Sequence, residues 1–488
     1  MSSDHTNNPN PAPIEVTGSH LAVAKEMLIM AAPTVATMTS YTLMQFVDGW
    51  MVSQITPADP VYLTAQGNGS VWSFAPTSFF MGLVGVVNTY VAQNLGAGTP
   101  RNGAAYAWNA IWLALALWAS VLLPATLVVP HVFAAMHASS PQLVELETAY
   151  AQILLMGGIF TMTSRSIAQY FYGMHRPSIT LVGALAGNLT NLVFNYLLIY
   201  GNFGFPTLGV KGAAIATVIG SFVEMIIPLT IFLSAKYNTL YSTRAAWKPD
   251  LHRIREIIKL GWPAAVMFGN ELICWAIFMT YYAGHFGVNH NNAGWIVLRY
   301  MHLSFMPAVG LSYACTAIVG KCLGAGRPDL VPRRAALGVT MAMIYMGLCA
   351  LAFVIFREDL VRVFVSNELL KSKPDAAADV IAIAAGLMII AALFQIFDGL
   401  GITLVGVLRG AGDTVWPGVV TIILSWVCIL GLGAGLTFLV PQWELKSKGP
   451  WIAAAVYIIL LGLALAWRFK SGAWKKIKVI DRPICAGH

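Results

Sequence analysis

The chain has 488 residues, of which 57% are hydrophobic and only 10% are charged, and its mean hydropathy is +0.69. A soluble domain usually carries about 25% charged residues, so this composition excludes a single water-soluble core and indicates an integral membrane protein. The net charge of +8 fits basic residues beside the membrane and anionic lipid headgroups. We therefore expect the lipid bilayer, and no nucleic acid, as a partner.

Twelve apolar segments of roughly 20 residues, the length at which a helix crosses a bilayer, follow one another along the chain. They lie near residues 27–51, 71–93, 104–129, 147–170, 178–200, 209–235, 258–284, 292–318, 335–356, 377–406, 414–440 and 449–469. The sequence therefore predicts an all-α integral membrane protein with twelve transmembrane helices, six in each half.

Several features of the first half return in the second half. The tract NLGAGTP at 94–100 returns as CLGAGRP at 322–328, a shift of 228 residues, and each copy stands between two apolar segments. Pro177 and Gly209 likewise match Pro417 and Gly449, at a shift of 240 residues. Tandem halves are how many membrane transporters form a site between two bundles that rock against each other. The repeats predict two pseudo-symmetric six-helix bundles.

Charge placement orients the chain. With the N-terminus in the cytoplasm, 20 basic residues fall on the cytoplasmic side and 7 fall outside, in agreement with the positive-inside rule. We expect a cytoplasmic tail over 1–26, a first lobe over 27–235, a cytoplasmic linker over 236–257, a second lobe over 258–470 and a cytoplasmic tail over 471–488. The expected location is the cell membrane, multi-pass, which is the inner membrane in a Gram-negative cell.

Four acidic residues fall within the predicted spans and at least three residues from either end: Asp48, Glu224, Glu271 and Asp398. An ionised side chain near the bilayer centre costs at least ~2.5 kcal/mol on insertion scales, so such residues usually face a protein-lined cavity and act there. A carboxylate held in this way can take up a proton or a monovalent cation on one side and release it on the other. Asp48, Glu271 and Asp398 are the candidates for cation coupling.

Each acid also has a structural interpretation. Asp48 sits late in its span and fits an interfacial charge, and Glu224 fits hydrogen bonding to Ser221 or to a neighbouring helix. Arg165 and Arg299, the two basic residues at least three residues inside a span, fit either pairing with these acids or snorkelling to the interface. Sequence spacing does not separate these alternatives.

Several sequence motifs, taken together, are specific enough to indicate a protein family. Pro33 precedes Asp48 by fifteen residues, the glycine tract recurs in both halves, and GWP at 261–263 leads to Glu271. The other motifs are Asn188, Asn191 and Asn195 followed by YGNFGFPTLG at 200–209, and Asp398 followed by LRGAGDT at 408–414. On these motifs the chain resembles the multidrug and toxic compound extrusion (MATE) family, in its NorM-like branch, from Lys25 to Lys470.

The resemblance implies a secondary active antiporter that exports drug-like, often cationic organic compounds in exchange for H⁺ or Na⁺ by alternating access. It implies no enzymatic activity, and we expect no cofactor. It matches Asp48 to the family's first-span acid, with Asn191 and Asn195 beside it. Glu271 and Asp398 match the second-lobe acids linked to cation coupling, where Na⁺ would bind. We expect a monomer whose partners are small organic substrates and the coupling cation.

Aromatic residues are further candidates for the substrate cavity. We expect Phe394 and Tyr300 to line it together with Asn191 and Asn195, whereas packing or interface anchoring is the alternative for membrane aromatics. Phe394 stands one turn before Asp398, where relatives carry a tyrosine. The missing hydroxyl would have helped to ligate Na⁺, so its absence favours protons as the coupling ion.

Two other classes stay open. A lipid-linked precursor flippase of the same wider superfamily would need more basic residues inside the spans than Arg165 and Arg299 to hold a pyrophosphate. A polytopic membrane enzyme would need a metal or nucleophile cluster, and the sequence contains neither HExxH nor GxSxG.

Overall fold

A computed structural model of the chain describes residues 20–57, 59–364, 374–439 and 444–480. Through these ranges run twelve helices that are long and apolar enough to cross a membrane, which confirms the predicted number. Their bounds are α1 Ala22–Ser53, α2 Val61–Gly96, α3 Pro100–Met136, α4 Pro141–Gly173, α5 Pro177–Tyr200, α6 Gly209–Phe232, α7 Leu251–Phe286, α8 Val288–Gly324, α9 Pro328–Ile355, α10 Ala377–Gly410, α11 Val415–Leu439 and α12 Lys448–Lys470. Most of the two predicted tails, 1–19 and 481–488, lies outside the described residues.

The helices form two bundles, α1–α6 and α7–α12. In the first bundle α6 packs against α4 and α5, and α1 packs against α5; in the second, α10 packs against α8, α9 and α12. The bundles join where α1 packs on α8 and α2 packs on α7. The first helix of each half therefore packs on the second helix of the other half, as expected for tandem halves related by pseudo-symmetry.

The two sides of the molecule differ. Because successive spans alternate in direction, the start of α1, the α6–α7 linker and the end of α12 share one side, which we call the tail side. The linker carries a short helix, Ala235–Tyr241. The opposite side, where α1 ends and α2 begins, is called the far side.

Several helices extend beyond the predicted spans at the tail side. α8 continues to Gly324 and α10 to Gly410, whereas the apolar runs predicted ends near 318 and 406. Lys321 and Arg409, which the sequence assigned to cytoplasmic loops, therefore stand in the last helical turns and are only 9% and 7% exposed. Apolar runs mark the helical segments that face lipid. These polar turns face protein between the bundles, so they continue as helix without an apolar signal.

The repeated glycine tract lies at the junction of the bundles. Gly96, at the end of α2, lies against the backbone of Lys321 and Ala325, and Gly324, at the end of α8, lies against the backbone of Gln93. A Cβ atom at either glycine would overlap the opposing main chain. The two copies of the tract thus cross each other between the bundles.

The turns that follow these glycines are alike. Gly98 and Gly326 have φ angles of +74° and +75°, a left-handed conformation that glycine adopts without steric cost. In both turns the residue after this glycine donates its amide to the carbonyl five residues before it: Thr99 to Asn94, and Arg327 to Cys322, both at 2.9 Å. The repeat therefore preserves a turn as well as a close helix contact.

Candidate cation and substrate sites

Asp48 lies in the far-side part of α1 and is 7% exposed. The Asn195 amide on α5 donates to Asp48 Oδ1 at 2.6 Å and to Asn191 Oδ1 at 3.0 Å. Asn191 in turn donates to Thr217 Oγ1 on α6 at 3.2 Å. The structure therefore brings the predicted acid and both predicted asparagines together.

Helix geometry explains this cluster. Asn191 and Asn195 are four residues apart, so both side chains lie on one face of α5. Gly220 on α6 lies directly against Asn191, and this small residue lets the two helices approach closely enough for the Thr217 hydroxyl to be reached. A hydroxyl from a third helix thus completes the chain of polar groups. The sequence analysis did not single out Thr217.

Asp48 has an amide partner and, among the described residues, no basic side chain paired with it. An amide N–H stabilises a carboxylate by hydrogen bonding but carries no countercharge. The membrane disfavours such an unpaired charge. Asp48 is therefore chemically suited to bind a proton or a small cation.

The second acidic pair lies in the other bundle. Glu271 on α7 and Asp398 on α10 are both half-buried, and their carboxyl groups are close enough to interact electrostatically. The buried Tyr457 of α12 donates its hydroxyl to Glu271 Oε1 at 3.0 Å. A carboxylate and a hydroxyl from two helices are thus hydrogen-bonded, with a second carboxylate on a third helix in the same bundle, and oxygen groups of this kind are ligands for hard cations.

Phe394 and Tyr300 occupy packing positions. Phe394, one turn before Asp398 on α10, is fully buried and belongs to the apolar core of the second bundle. The Tyr300 hydroxyl donates to the Leu360 carbonyl at 2.8 Å, and its ring lies edge-on to Phe364 at 5.4 Å. These contacts match the packing alternative and differ from the predicted cavity lining.

Glu224 and Arg165 meet inside the first bundle. Glu224 Oε1 accepts hydrogen bonds from the Tyr41 hydroxyl at 2.6 Å and the Ser164 hydroxyl at 3.0 Å. Arg165 Nη1 lies 3.8 Å from the same oxygen. Of the two interpretations open for the span arginines, pairing therefore applies to Arg165. Arg299 is exposed and lies over the Phe364 ring at 5.4 Å.

One buried acid was missed by the sequence analysis. Glu147, near the start of α4, is fully buried, and its carboxylate contacts His137 Nδ1 at 2.7 Å and Asn68 Nδ2 at 2.9 Å. It stands at the first residue of the predicted span, where hydropathy assigns a charge to the headgroup region. Tyr457 was missed for a different reason, since a tyrosine in an apolar span carries no signal of its partner.

Polar contacts between the bundles gather at the tail side. Thr89 and Gln93 of α2 donate to the carbonyls of Arg409 and Gly410 at 2.9 and 3.1 Å, and Asn88 donates to the Tyr313 carbonyl at 3.2 Å. We call this set of contacts the seam.

An ion-pair cluster extends the seam. Glu26 of α1 contacts Lys321 of α8 at 3.3 Å and Arg334 of α9 at 3.4 Å. The seam and this cluster hold the tail-side halves of the two bundles together. The Asp48 cluster lies in the far-side half, beyond them.

Comparison with known proteins identifies relatives of this chain. The family model described as MatE matches residues 33–197 and 263–434. Multidrug resistance protein PmpM of Pseudomonas aeruginosa is 29% identical over 468 residues, with 94% of each chain covered. Probable multidrug resistance protein NorM of Thermotoga maritima is 28% identical over 410 residues, with 80% of this chain and 81% of the relative covered.

Solved structures share the fold. A MOP superfamily transporter from Pyrococcus furiosus matches with a TM-score of 0.82 at 20% identity, covering 93% of this chain and 97% of that one. A multidrug resistance MATE family transporter in an outward-facing conformation also matches at 0.82, with 19% identity and the same coverage.

Proposed function

The chain belongs to the MatE family, the multidrug and toxic compound extrusion transporters, in its NorM-like branch, and we propose that it is a secondary active multidrug efflux antiporter. It is a multi-pass membrane transporter and not an enzyme. It exports drug-like, often cationic organic compounds in exchange for H⁺ or Na⁺, needs no cofactor and acts as a monomer. Its tail side faces the cytoplasm.

The observation that supports this proposal most is the buried carboxylate of Asp48, held in the membrane by an amide without a basic partner. A second acidic site, Glu271 with Asp398, stands in the other bundle. Each bundle therefore offers a place where a cation neutralises an acid that is costly to bury when charged. The relatives named as multidrug resistance proteins supply the substrate class.

Coupling follows from how each ligand changes the balance between two states. An empty carboxylate favours a state in which water reaches it, whereas a neutralised one tolerates enclosure. If the cation and the drug favour different states, each weakens the binding of the other by the same factor. The tail-side seam closes one route, so alternating access needs this seam to open and the far-side halves to close.

Drug affinity measured against pH, with and without Na⁺, tests the coupling. On purified protein we expect the affinity for an organic-cation dye to fall as pH falls, because proton binding at the acids favours the state that releases drug. Asp398→Asn should flatten this dependence, since the variant resembles the protonated acid at every pH. An affinity that ignores pH but falls on adding Na⁺ would assign the coupling to Na⁺. One that ignores both would contradict coupling at this site.

A further inference from the structure

Arg165 has hydrogen-bonding capacity that the protein does not use. It lies on α4 about two turns from the tail-side end of the helix and keeps 19% of its side chain exposed, against 14% for Glu224. Among the described residues it donates no hydrogen bond, and its Nε is buried without a partner. Its guanidinium rests over the Tyr41 ring, 4.1 Å from the centroid.

Glu224 does not occupy this capacity. Its Oε1 is already bonded to the Tyr41 and Ser164 hydroxyls, and Arg165 stays at 3.8 Å, outside hydrogen-bond distance. A guanidinium that serves only as a structural partner for a carboxylate usually forms two parallel short hydrogen bonds. Here the two charges are neighbours, yet the N–H groups of the Arg165 guanidinium form no hydrogen bond with the carboxylate.

The pair lies at the boundary between the bundles. Tyr172, seven residues after Arg165 and therefore on the same face of α4, stacks on Tyr313 across this boundary, with the ring centroids 5.5 Å apart. Tyr313 belongs to α8, and its carbonyl accepts the seam hydrogen bond from Asn88. Arg165 therefore lies on the face of α4 that meets the second bundle, about two turns from the point where this face reaches the seam.

We propose that Arg165 and Glu224 form a binding subsite for the charged head of a zwitterionic organic substrate. Arg165 takes the carboxylate as a bidentate pair, and Glu224 takes the positively charged group. A zwitterion satisfies both members of the pair at once, whereas a purely cationic compound leaves the guanidinium unused. This inference rests on the proposed export function and adds a substrate class to it.

Two dyes that differ in one group test the subsite. Rhodamine 110 carries a free carboxylate and is a zwitterion, and rhodamine 123 is its methyl ester and a cation. We expect the purified full chain to bind rhodamine 110 more tightly by fluorescence polarisation. Arg165→Gln should weaken rhodamine 110 binding about tenfold or more, the value of a charged hydrogen-bonded pair, and leave rhodamine 123 within about twofold.

Matched variants separate recognition from folding. Arg165→Lys keeps the charge but loses the fork, so it should show an intermediate preference. Arg299→Gln removes the other span arginine and should leave both affinities unchanged. If Arg165→Gln fails to fold, the dye preference of the wild type and of Arg165→Lys still decides.

Three results would overturn the subsite. They are equal binding of both dyes by the wild type, preference for the ester, and an equal loss for both dyes in Arg165→Gln. In each of these the proposed export function survives, because rhodamine 123 is still bound. Binding of neither dye to the wild type would contradict the export function as well.

Discussion

The carboxylate of Asp48 is hydrogen-bonded to an amide and is not ion-paired with a basic side chain. Asn195 fixes the position of the carboxylate without neutralising it, and this leaves the charge to be balanced by a mobile cation. Arg165 and Glu224 show the opposite arrangement, in which two charges balance each other but the hydrogen bonds of the arginine stay free. Both cases have the same physical cause, since the bilayer offers no water to balance a charge.

Neutralising the acids should separate function from folding. We expect Asp48→Asn, Glu271→Gln and Asp398→Asn each to abolish drug resistance while the protein reaches the membrane at a near-normal level. Removing the acid removes the cation site and also removes an insertion cost of at least ~2.5 kcal/mol. Resistance assays with immunoblotting measure both effects, and the exposed Glu358→Gln is the control. Full export by any of the three would remove that residue from the mechanism.

His175 should make the closed tail side sensitive to acid. It lies between α4 and α5, and its Nε2 is 3.2 Å from the Ala317 carbonyl of the other bundle. Burial, aided by the Lys321 and Arg334 charges and opposed by Glu26, lowers the pKa of His175 to about 4. The unfolded chain then binds this proton at a higher pH than the folded protein does, so stability is lost as pH falls from about 6.5 towards 4.

The test compares thermal unfolding of the wild type and His175→Asn across this pH range. Asparagine tolerates the positive φ of +57° at this position, so the backbone should be preserved. We expect the wild type to lose more stability on acidification than the variant, with the exposed His252→Asn behaving as the wild type. If the melting temperatures of the wild type and His175→Asn fall in parallel as pH is lowered, protonation of His175 does not contribute to the acid sensitivity.

At the scale of elements, the crossing of α2 and α8 depends on the absence of a side chain. Gly96→Ala places a Cβ atom against the Lys321 carbonyl, and overpacking of this kind costs about 1–3 kcal/mol. We expect a lower melting temperature. Gly67→Ala on the same helix has open space around it and should be neutral or slightly stabilising. Equal melting temperatures for the two variants would contradict the close crossing.

The chain after α12 connects the two bundles at the tail side. Trp474 is 1% exposed and stacks on Phe469 at 5.5 Å within the second bundle. Val479 lies against Gly412 of the second bundle and, with Ile480, packs on the apolar core of the first. The segment Trp474–Ile480 therefore adds an apolar contact to the polar seam.

A charge in this segment should loosen the tail side. We expect Val479→Asp to lower the melting temperature by the equivalent of about 1–2 kcal/mol, the value of one half-buried aliphatic side chain. Lys476→Asp, which changes an exposed residue of the same segment, is the control. An unchanged melting temperature for Val479→Asp would show that the contact does not hold the bundles together.

At the scale of the whole molecule, periodic and repeated features were predictable and pairwise contacts were not. Twelve apolar runs and the repeated glycine tract predicted the fold, because lipid contact and backbone approach leave direct marks in sequence. The contacts of Glu271 with Tyr457 and of Glu224 with Arg165 join helices distant in sequence, and no local pattern encodes them. Phe394 lies on the same helix as Asp398, yet packing against neighbouring helices, which a single sequence does not reveal, decides its surroundings.

Transport in proteoliposomes under separate ion gradients tests cation-coupled export most directly. Proteoliposomes that contain the purified protein are equilibrated with an organic-cation dye at equal concentration on both sides, and an inward proton gradient or an inward Na⁺ gradient is imposed alone. We predict dye efflux against its own gradient with one of the two ions, favouring protons, and no gradient-driven efflux by Asp48→Asn or Asp398→Asn. Dye movement that ignores both gradients, or that persists unchanged in these variants, would contradict antiport through the buried acids.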